Sequence, residues 1–318
     1  MPASASRRGE LAATGGVLLT AIGWGSMVPL TSLLLTSLPP FLIAATRYTA
    51  AVPVLAVLIA IMEEGAILPL SLPWRRVLML GGLGIAGFAT CYTFGIWYSG
   101  PITAAAILAG GPVVAAVMDR VMAGRRVTRR ALAAIVLTVA GGLMVAVARP
   151  QSNLGTHGGE VLLVLGLACW TWYSMKAQAW LAPLGIGQLR LTMVTSAAAG
   201  LSLWVVYGVT ALIGLQPLPA AWPSASIIAI LAYLCVGPTA ICIALWNLGT
   251  ARLGITVAMV ILNTSPVFAV LLGMALGAQP TALELTGAVV TLAGVFWLQF
   301  GGKRRPFSAS VDATGERR

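Results

Sequence analysis

Apolar runs of about 20 residues, separated by short polar turns, dominate the chain between residues 11 and 300. A bilayer core about 30 Å thick needs a helix of about 20 apolar residues to cross it. The pattern therefore predicts an all-α membrane protein with ten transmembrane helices. The predicted spans cover residues 11–35, 39–62, 76–98, 101–122, 130–148, 159–181, 186–213, 225–249, 253–277 and 281–300.

Tight turns join several spans, at residues 37–40, 99–101 and 277–280. Each turn has proline near the start of the next span, where a helix tolerates its missing N–H, so the turns predict antiparallel hairpins. The segments outside the spans are a predicted cytoplasmic tail at 1–10, a periplasmic linker at 150–158, and a disordered cytoplasmic tail at 301–318.

The composition and the charge agree with membrane insertion. Of 318 residues, 59% are hydrophobic and 8% charged, whereas a soluble domain has about 25% charged residues. The net charge of +11 would suggest nucleic-acid binding in a soluble protein, yet 15 of the 19 Lys and Arg residues lie in the tails and in alternate loops, on one predicted side. Because cytoplasmic loops carry this excess, we expect a bacterial inner-membrane protein with both termini cytoplasmic. The charge then favours anionic lipid and no nucleic-acid partner.

Residues for catalysis or for a metal site are scarce. The chain has one histidine, His157, and its four cysteines, Cys91, Cys169, Cys235 and Cys242, lie in apolar segments without a C-x-x-C pair. We interpret the cysteines as small buried hydrophobic residues. No G-x-x-x-x-G-K-[ST] motif for ATP hydrolysis occurs. The sequence thus predicts no enzyme, no metal and no cofactor.

An internal repeat appears when the chain is aligned with itself at an offset of 154 residues. Nine of the thirty positions from 86 to 115 are identical to their partners, about three times the chance level for such a composition. The matched residues include Gly95 with Gly249, Ile107 with Ile261, and Pro112 with Pro266. A looser match at an offset of 146 pairs Trp24 with Trp170.

Two repeats of five spans each, at 11–149 and 159–300, follow from this match. Because five is odd, the second repeat must enter the membrane from the opposite side, so the repeats are predicted to be inverted. Inverted repeats form a central path that can open alternately to either side, which is the architecture of many secondary transporters.

The chain resembles the drug/metabolite transporter superfamily, in its bacterial form with two EamA-like repeats. The resemblance spans residues 11–300 and is carried by Trp24-Gly25-Ser26, Pro39-Pro40 with Arg47, Gly111-Pro112-Val113 and Ser265-Pro266-Val267. It implies a ten-helix exporter, most similar to exporters of amino acids, including aromatic ones. Members commonly have Gly-Glu after spans four and nine, where this chain has Gly124-Arg125 and Gly277-Ala278-Gln279. No carboxylate role is therefore carried over.

Polar and aromatic residues inside the spans are the candidates for the substrate path, since such groups must face protein or water. Arg47 lies eight residues into its span. It either binds a substrate carboxylate or is a structural cation bonded to backbone carbonyls. Mid-span rings suit an amphiphilic substrate, with helix packing as the alternative for each ring. Two asparagines add polar groups at the same depth as these rings. The alternative is that they only form hydrogen bonds between helices. The predicted substrate-binding residues are Trp24, Arg47, Tyr92, Trp170, Tyr173, Trp246, Asn247 and Asn263.

Two prolines, Pro112 and Pro266, fall near the middle of spans four and nine. Each removes a backbone donor and should kink its helix, so we predict that both are hinges.

The predicted function is secondary transport of amino acids or related small metabolites by alternating access, as an exporter or facilitator. A multidrug or nucleotide-sugar type carrier is the alternative. Glu160 and Glu284 are expected near the outer surface and the other acids on the cytoplasmic side. Since no carboxylate is expected at mid-membrane, the sequence agrees with uniport or exchange at least as well as with proton antiport. The expected partners are a small-molecule substrate and the lipid bilayer, with the protein as a monomer or homodimer.

Overall fold

The computed structural model describes residues 3–63, 72–124, 129–147, 158–216, 219, 223–253, 258, 261–262 and 264–300. The described residues are helical or lie in turns and irregular segments, and no strand occurs among them. An all-helical fold suits a membrane, because a helix satisfies its backbone N–H and C=O groups within one segment. The prediction of an all-α membrane protein is confirmed at this level.

The helices follow one another along the chain, with two π-helical segments inside them. They are α1 (Ala3–Leu34), α2 (Pro40–Met62), α3 (Trp74–Met79), α4 (Gly87–Leu108), α5 (Gly111–Ala123), α6 (Arg129–Val147), α7 (Gly159–Trp180), α8 (Gln188–Leu212), α9 (Ala225–Leu234), α10 (Cys242–Leu253), α11 (Ser265–Ala275) and α12 (Ala282–Phe300). The first π segment, Leu80–Ala86, joins α3 to α4, and the second, Cys235–Ile241, joins α9 to α10. A short 3₁₀ turn, Ala182–Leu184, precedes α8.

Five helical segments within the described ranges are long and apolar enough to cross a membrane. They are Gly9–Leu34, Pro40–Met62, Trp74–Leu108, Gln188–Leu212 and Ala225–Trp246. The helix α1 begins at Ala3, earlier than the predicted span, because residues 3–10 contain no proline to stop the helix. The linker at 150–157 and the tail at 301–318 lie outside the described residues.

Gly100 and the two hinge candidates interrupt the helices. Gly100 has φ 75° and ψ 168°, so the chain turns there before Pro101, as the predicted turn at 99–101 requires. Only glycine adopts this conformation without strain. Pro112 and Pro266 stand in the first turns of α5 and α11 rather than inside continuous helices. The helix restarts at each proline, because the first turn does not need its missing N–H.

Helices from the two halves of the chain pack against each other throughout the bundle. The largest contacts join α6 to α12, α2 to α8, α4 to α7, and α1 to both α10 and α11. Gly25 allows the close approach of α1 to α11, because a Cβ at residue 25 would lie 2.5 Å from the carbonyl oxygen of Ser265.

The buried apolar residues form two clusters that meet along α2. One contains Tyr48 and Leu55 of α2 with residues of α8, and the other contains Ile43 of α2 with residues of α1 and α4. Arg47 lies on α2 between Ile43 and Tyr48. The side chain of Arg47 is therefore held where the two clusters join.

Glu284 lies in the first turn of α12, where its side chain is fully buried among protein atoms. Its Oε2 accepts a hydrogen bond of 2.7 Å from the backbone N–H of Thr281, and Thr281 Oγ1 accepts one of 3.2 Å from the N–H of Glu284. This reciprocal pair is a capping box at the start of α12. The Thr-x-x-Glu spacing in the sequence carries that signal.

Candidate substrate site

Arg47 is the buried cation at the centre of the candidate site. Its side chain is 2% exposed. Its Nε and Nη2 donate to Oγ1 of Thr239 at 3.3 and 3.2 Å, and Nη2 also lies 3.7 Å from the sulfur of Met27. Among the described residues, the acceptors are thus a hydroxyl and a thioether, and none is a backbone carbonyl of the kind that the structural interpretation expects.

The second π segment provides the hydroxyl that Arg47 contacts. Pro238 has no N–H to donate to the carbonyl of Leu234, four residues earlier. Thr239 Oγ1 donates to that carbonyl instead, at 2.7 Å, and so turns its lone pairs toward Arg47. A π segment often marks a functional site in a helix, since it displaces side chains from their regular positions.

Two tyrosine rings flank the guanidinium group. Its Cζ lies 5.8 Å from the ring centroid of Tyr48 and 5.9 Å from that of Tyr92, within the range of a cation–π interaction. The hydroxyl groups of Tyr92 and Thr31 are neighbours. Both are buried, and neither makes a hydrogen bond of regular geometry. The surroundings of Arg47 therefore hold two further polar groups that could bind a ligand.

No carboxylate among the described residues forms an ion pair with Arg47. By contrast, Arg190 pairs with Glu63 at 3.2 Å at the end of the bundle where α8 begins. A guanidinium group has five N–H donors, and those of Arg47 have only Thr239 and Met27 as acceptors within the described part of the chain. An uncompensated buried cation is costly, so this site favours an anionic ligand.

The mid-span rings predicted from the sequence form one aromatic cluster beside this cation. Trp24 lies at the centre, with its ring centroid 6.3 Å from that of Trp170 and 5.7 Å from that of Trp246. Phe88 extends the cluster, since it lies 5.3 Å from Trp170 and 5.4 Å from Tyr92. The cluster joins α1, α4, α7 and α10, and Tyr92 links it to Arg47.

Trp24 also ties the cluster to the second π segment. Its Nε1 donates a hydrogen bond of 2.9 Å to the carbonyl oxygen of Pro238. Arg47 and Trp24 therefore contact consecutive residues, Thr239 and Pro238. This shared anchor fixes the cation and the central indole in one place.

Tyr173 joins the cluster through its ring, 5.4 Å from that of Trp170. Its hydroxyl lies 3.1 Å from Oγ1 of Thr195, which itself donates to the carbonyl of Leu191 at 2.8 Å. Tyr173 is therefore the donor to Thr195, and its proton is already used between α7 and α8.

A groove of about 280 Å³ opens near the site, at the end of the bundle where α1 ends. It is lined by Ser32, Leu35, Thr36, Ile96, Trp97 and Gly100. Ser32 follows Thr31, and Ile96 lies one helical turn after Tyr92. The groove thus lies about one helical turn from the hydroxyl groups of Thr31 and Tyr92.

Two of the predicted site residues cannot be compared with the geometry. Asn263 lies outside the described residues, as does the side chain of Asn247, whose backbone belongs to α10. The side chains of Pro112 and Pro266 also lie outside them, although their backbones begin α5 and α11.

Comparison with known families decides the general class of the protein. The profile of the EamA-like transporter family matches residues 11–147 and again 157–300. These two matches cover most of the chain. The chain belongs to the EamA-like transporter family. It is therefore a membrane transporter for a small-molecule substrate, as the resemblance to the drug/metabolite transporter superfamily implied.

Two further similarities agree with this membership. The EamA-like transporter is 25% identical over 227 residues to the "Uncharacterized transporter YyaM" of Bacillus subtilis (strain 168), covering 69% of this chain and 70% of that relative. A solved crystal structure of a 20% identical protein has a TM-score of 0.60, over 91% of this chain and 95% of the other. The latter similarity shows the fold alone.

Sequence reasoning missed several residues of the site in this EamA-like transporter. Tyr48, Phe88, Thr31 and Thr239 all contribute rings or hydroxyl groups around Arg47. Their depth along the spans was a usable signal. The face of the helix on which each lies was not readable from a segment that is apolar on all sides.

Proposed function

We propose that the transporter carries small metabolites that combine a carboxylate with an apolar part, such as amino acids. The observation that carries this proposal is the buried guanidinium of Arg47, which has no carboxylate partner among the described residues. A carboxylate forms two parallel hydrogen bonds with a guanidinium group, and these are stronger than bonds between neutral groups.

The aromatic cluster binds the apolar part of the substrate. Trp24, Trp170 and Trp246 are each only partly buried, although they lie in the middle of their helices. Partly exposed rings inside a bundle suit a site for an amphiphilic molecule, since a closely packed core would cover them. Tyr92 and Thr31 supply hydroxyl groups for the polar end.

Transport by alternating access between two inverted repeats is part of the same proposal. The two π segments, Leu80–Ala86 and Cys235–Ile241, begin 155 residues apart, and the helix starts at Gly111 and Ser265 are 154 residues apart. These spacings agree with the 154-residue offset of the sequence repeat. The two separate matches of the family profile also support two repeats.

Reciprocal contacts between the halves support an inverted arrangement. Gly95 of the first half packs against Leu163 of the second, and Gly249 of the second packs against Val17 of the first. Val17 and Leu163 are related by the same 146-residue offset as Trp24 and Trp170. Such an exchange of partners is expected where a pseudo-twofold axis relates the repeats. The contact between Trp24 and Trp170 would then lie near that axis.

In this proposal the protein is an exporter or facilitator in a bacterial inner membrane, with both termini in the cytoplasm. The distribution of Lys and Arg along the sequence supports that orientation. A nucleotide-sugar type carrier is less well supported, because Arg47 is the one fully buried cation among the described residues. A polyanionic substrate would need more than one.

Counterflow in liposomes is the experiment that tests this function. Purified protein is reconstituted and loaded with one unlabelled amino acid, and uptake of labelled amino acids is measured with and without a pH gradient. We expect saturable exchange that is fastest for amino acids with large apolar side chains. Exchange of lipophilic cations or nucleotide sugars, with none of any amino acid, would contradict the proposal.

The breaks before Pro112 and Pro266 are the proposed hinges. Replacing both prolines with alanine should let α4 continue into α5, and should favour a continuous helix before α11, because alanine supplies the missing N–H. We expect the maximal rate of counterflow to fall about tenfold, since hinge changes slow the conformational step. Turnover equal to that of the unaltered protein would exclude the hinge role.

A further inference from the structure

Two cations gather around one indole ring at the end of the bundle where α3 begins and α7 ends. The guanidinium Cζ of Arg76 lies 5.9 Å from the ring centroid of Trp180, and Nζ of Lys176 lies 5.7 Å from it. Trp172 fixes the orientation of Trp180 by an edge-on contact at 5.9 Å. The two charges come from different helices, so the ring holds them together across a helix interface.

This cation pair has no counter-anion in the described part of the chain. Neither Arg76 nor Lys176 forms an ion pair there, whereas Arg190 does so with Glu63. The first turn of α3 contains no acidic residue. The two cations therefore lie near one ring without a described negative charge to balance them.

The residues around the pair are typical of the membrane interface. Arg76 lies at the start of a helix whose Trp74 and Leu78 are 45% and 49% exposed, and Lys176 and Trp180 lie at the end of α7. Tryptophan with arginine or lysine at a helix end marks the level of the lipid headgroups. An anion bound there lies among the headgroups, which favours a lipid phosphate over a free ion.

We propose that Arg76, Lys176 and Trp180 form a binding site for the phosphate headgroup of an anionic phospholipid. The two cations bind the phosphate, and Trp180 holds both at the headgroup level. The site goes beyond a general attraction of basic loops to the membrane, since it uses one defined pair of cations. It does not depend on the transported substrate.

Thermal unfolding in detergent tests the site. The midpoint of unfolding, Tm, is measured while dioleoyl phosphatidylglycerol is added, with dioleoyl phosphatidylcholine as the neutral lipid. We expect phosphatidylglycerol to raise Tm of the unaltered protein and phosphatidylcholine to leave it nearly unchanged. In the double variant Arg76→Gln/Lys176→Gln, the phosphatidylglycerol concentration at half effect should rise about thirtyfold, since a cation in direct contact with an anionic headgroup contributes about 1 kcal/mol to binding it.

A matched variant separates the site from net charge. Arg120→Gln/Arg129→Gln removes two exposed cations from α5 and α6 and should keep the original half-effect concentration. An equal loss in both double variants would overturn the proposal, as would an equal rise in Tm with inorganic phosphate alone. If the first double variant cannot be purified, Lys176→Gln alone should show about a fivefold rise in the half-effect concentration. No change in that variant would also overturn the proposal.

Discussion

Replacing Arg47 with Gln is expected to lower the rate of carboxylate-substrate exchange by about a hundredfold, measured as kcat/KM in liposome counterflow. The guanidinium is 2% exposed and makes no described ion pair, so a bound carboxylate would be its strongest partner. Glutamine keeps a hydrogen-bonding side chain of similar shape but removes the charge. The protein should fold, because the variant relieves the cost of burying an unpaired cation.

Three comparisons distinguish a substrate-binding role of Arg47 from a structural role. Arg47→Lys keeps the charge but removes the planar guanidinium group with its paired N–H donors. It should lose less activity than Arg47→Gln. Arg120→Gln removes an exposed cation and should behave as the unaltered protein. Wild-type protein should prefer an amino acid over its amide, and Arg47→Gln should lose that preference. A variant that keeps both rate and preference, or one that unfolds together with Thr239→Val, would contradict the substrate role.

The apolar runs allowed the all-helical membrane fold to be predicted, because crossing a bilayer imposes a minimum helix length. The orientation that the basic loops indicate stays a prediction. The turn at Gly100 was readable from Gly-Pro in a short polar stretch. The π segments were not readable. A π segment has more residues per turn than an α-helix, and its place depends on how Pro238 and the glycines of the first segment pack. In a segment that is apolar on all sides, this change does not alter the pattern of apolar and polar positions. The burial of Glu284 was not predicted, although the Thr-x-x-Glu spacing of its capping box is visible in the sequence.

The depth of each aromatic residue along its predicted span allowed part of the candidate site to be predicted. Trp24, Tyr92, Trp170, Tyr173 and Trp246 were expected to share a cavity, and their rings belong to one cluster together with Phe88. The sequence could not say that the hydroxyl of Tyr173 is used by Thr195, nor that Thr239 is the partner of Arg47. Those contacts depend on the rotation of each helix about its axis. A segment that is apolar on all sides does not encode that rotation.

Replacing Trp24 with Ala is expected to raise KM about thirtyfold for amino acids with large apolar side chains. The variant would lose the contact of the indole ring with the apolar part of the substrate, and an aromatic contact of this kind contributes about 0.5–1.5 kcal/mol beyond the buried area. The hydrogen bond to Pro238 is also lost. Trp24→Phe keeps the ring without that hydrogen bond and should raise KM by only a fewfold. The matched control is Trp204→Ala, since Trp204 of α8 is 40% exposed and lies outside the aromatic cluster, so this variant should leave KM unchanged.

The dependence on substrate distinguishes the two halves of the site. If Trp24 binds the apolar part, the loss in Trp24→Ala should grow with the size of the substrate side chain and nearly vanish for glycine. The loss in Arg47→Gln should be similar for every amino acid, because each has the same carboxylate. A merely structural Trp24 would instead lower Tm and reduce exchange equally for all substrates. Equal losses in Trp24→Ala for glycine and for a large apolar amino acid would therefore assign this indole to helix packing, and Arg47 alone would remain as the candidate for substrate binding.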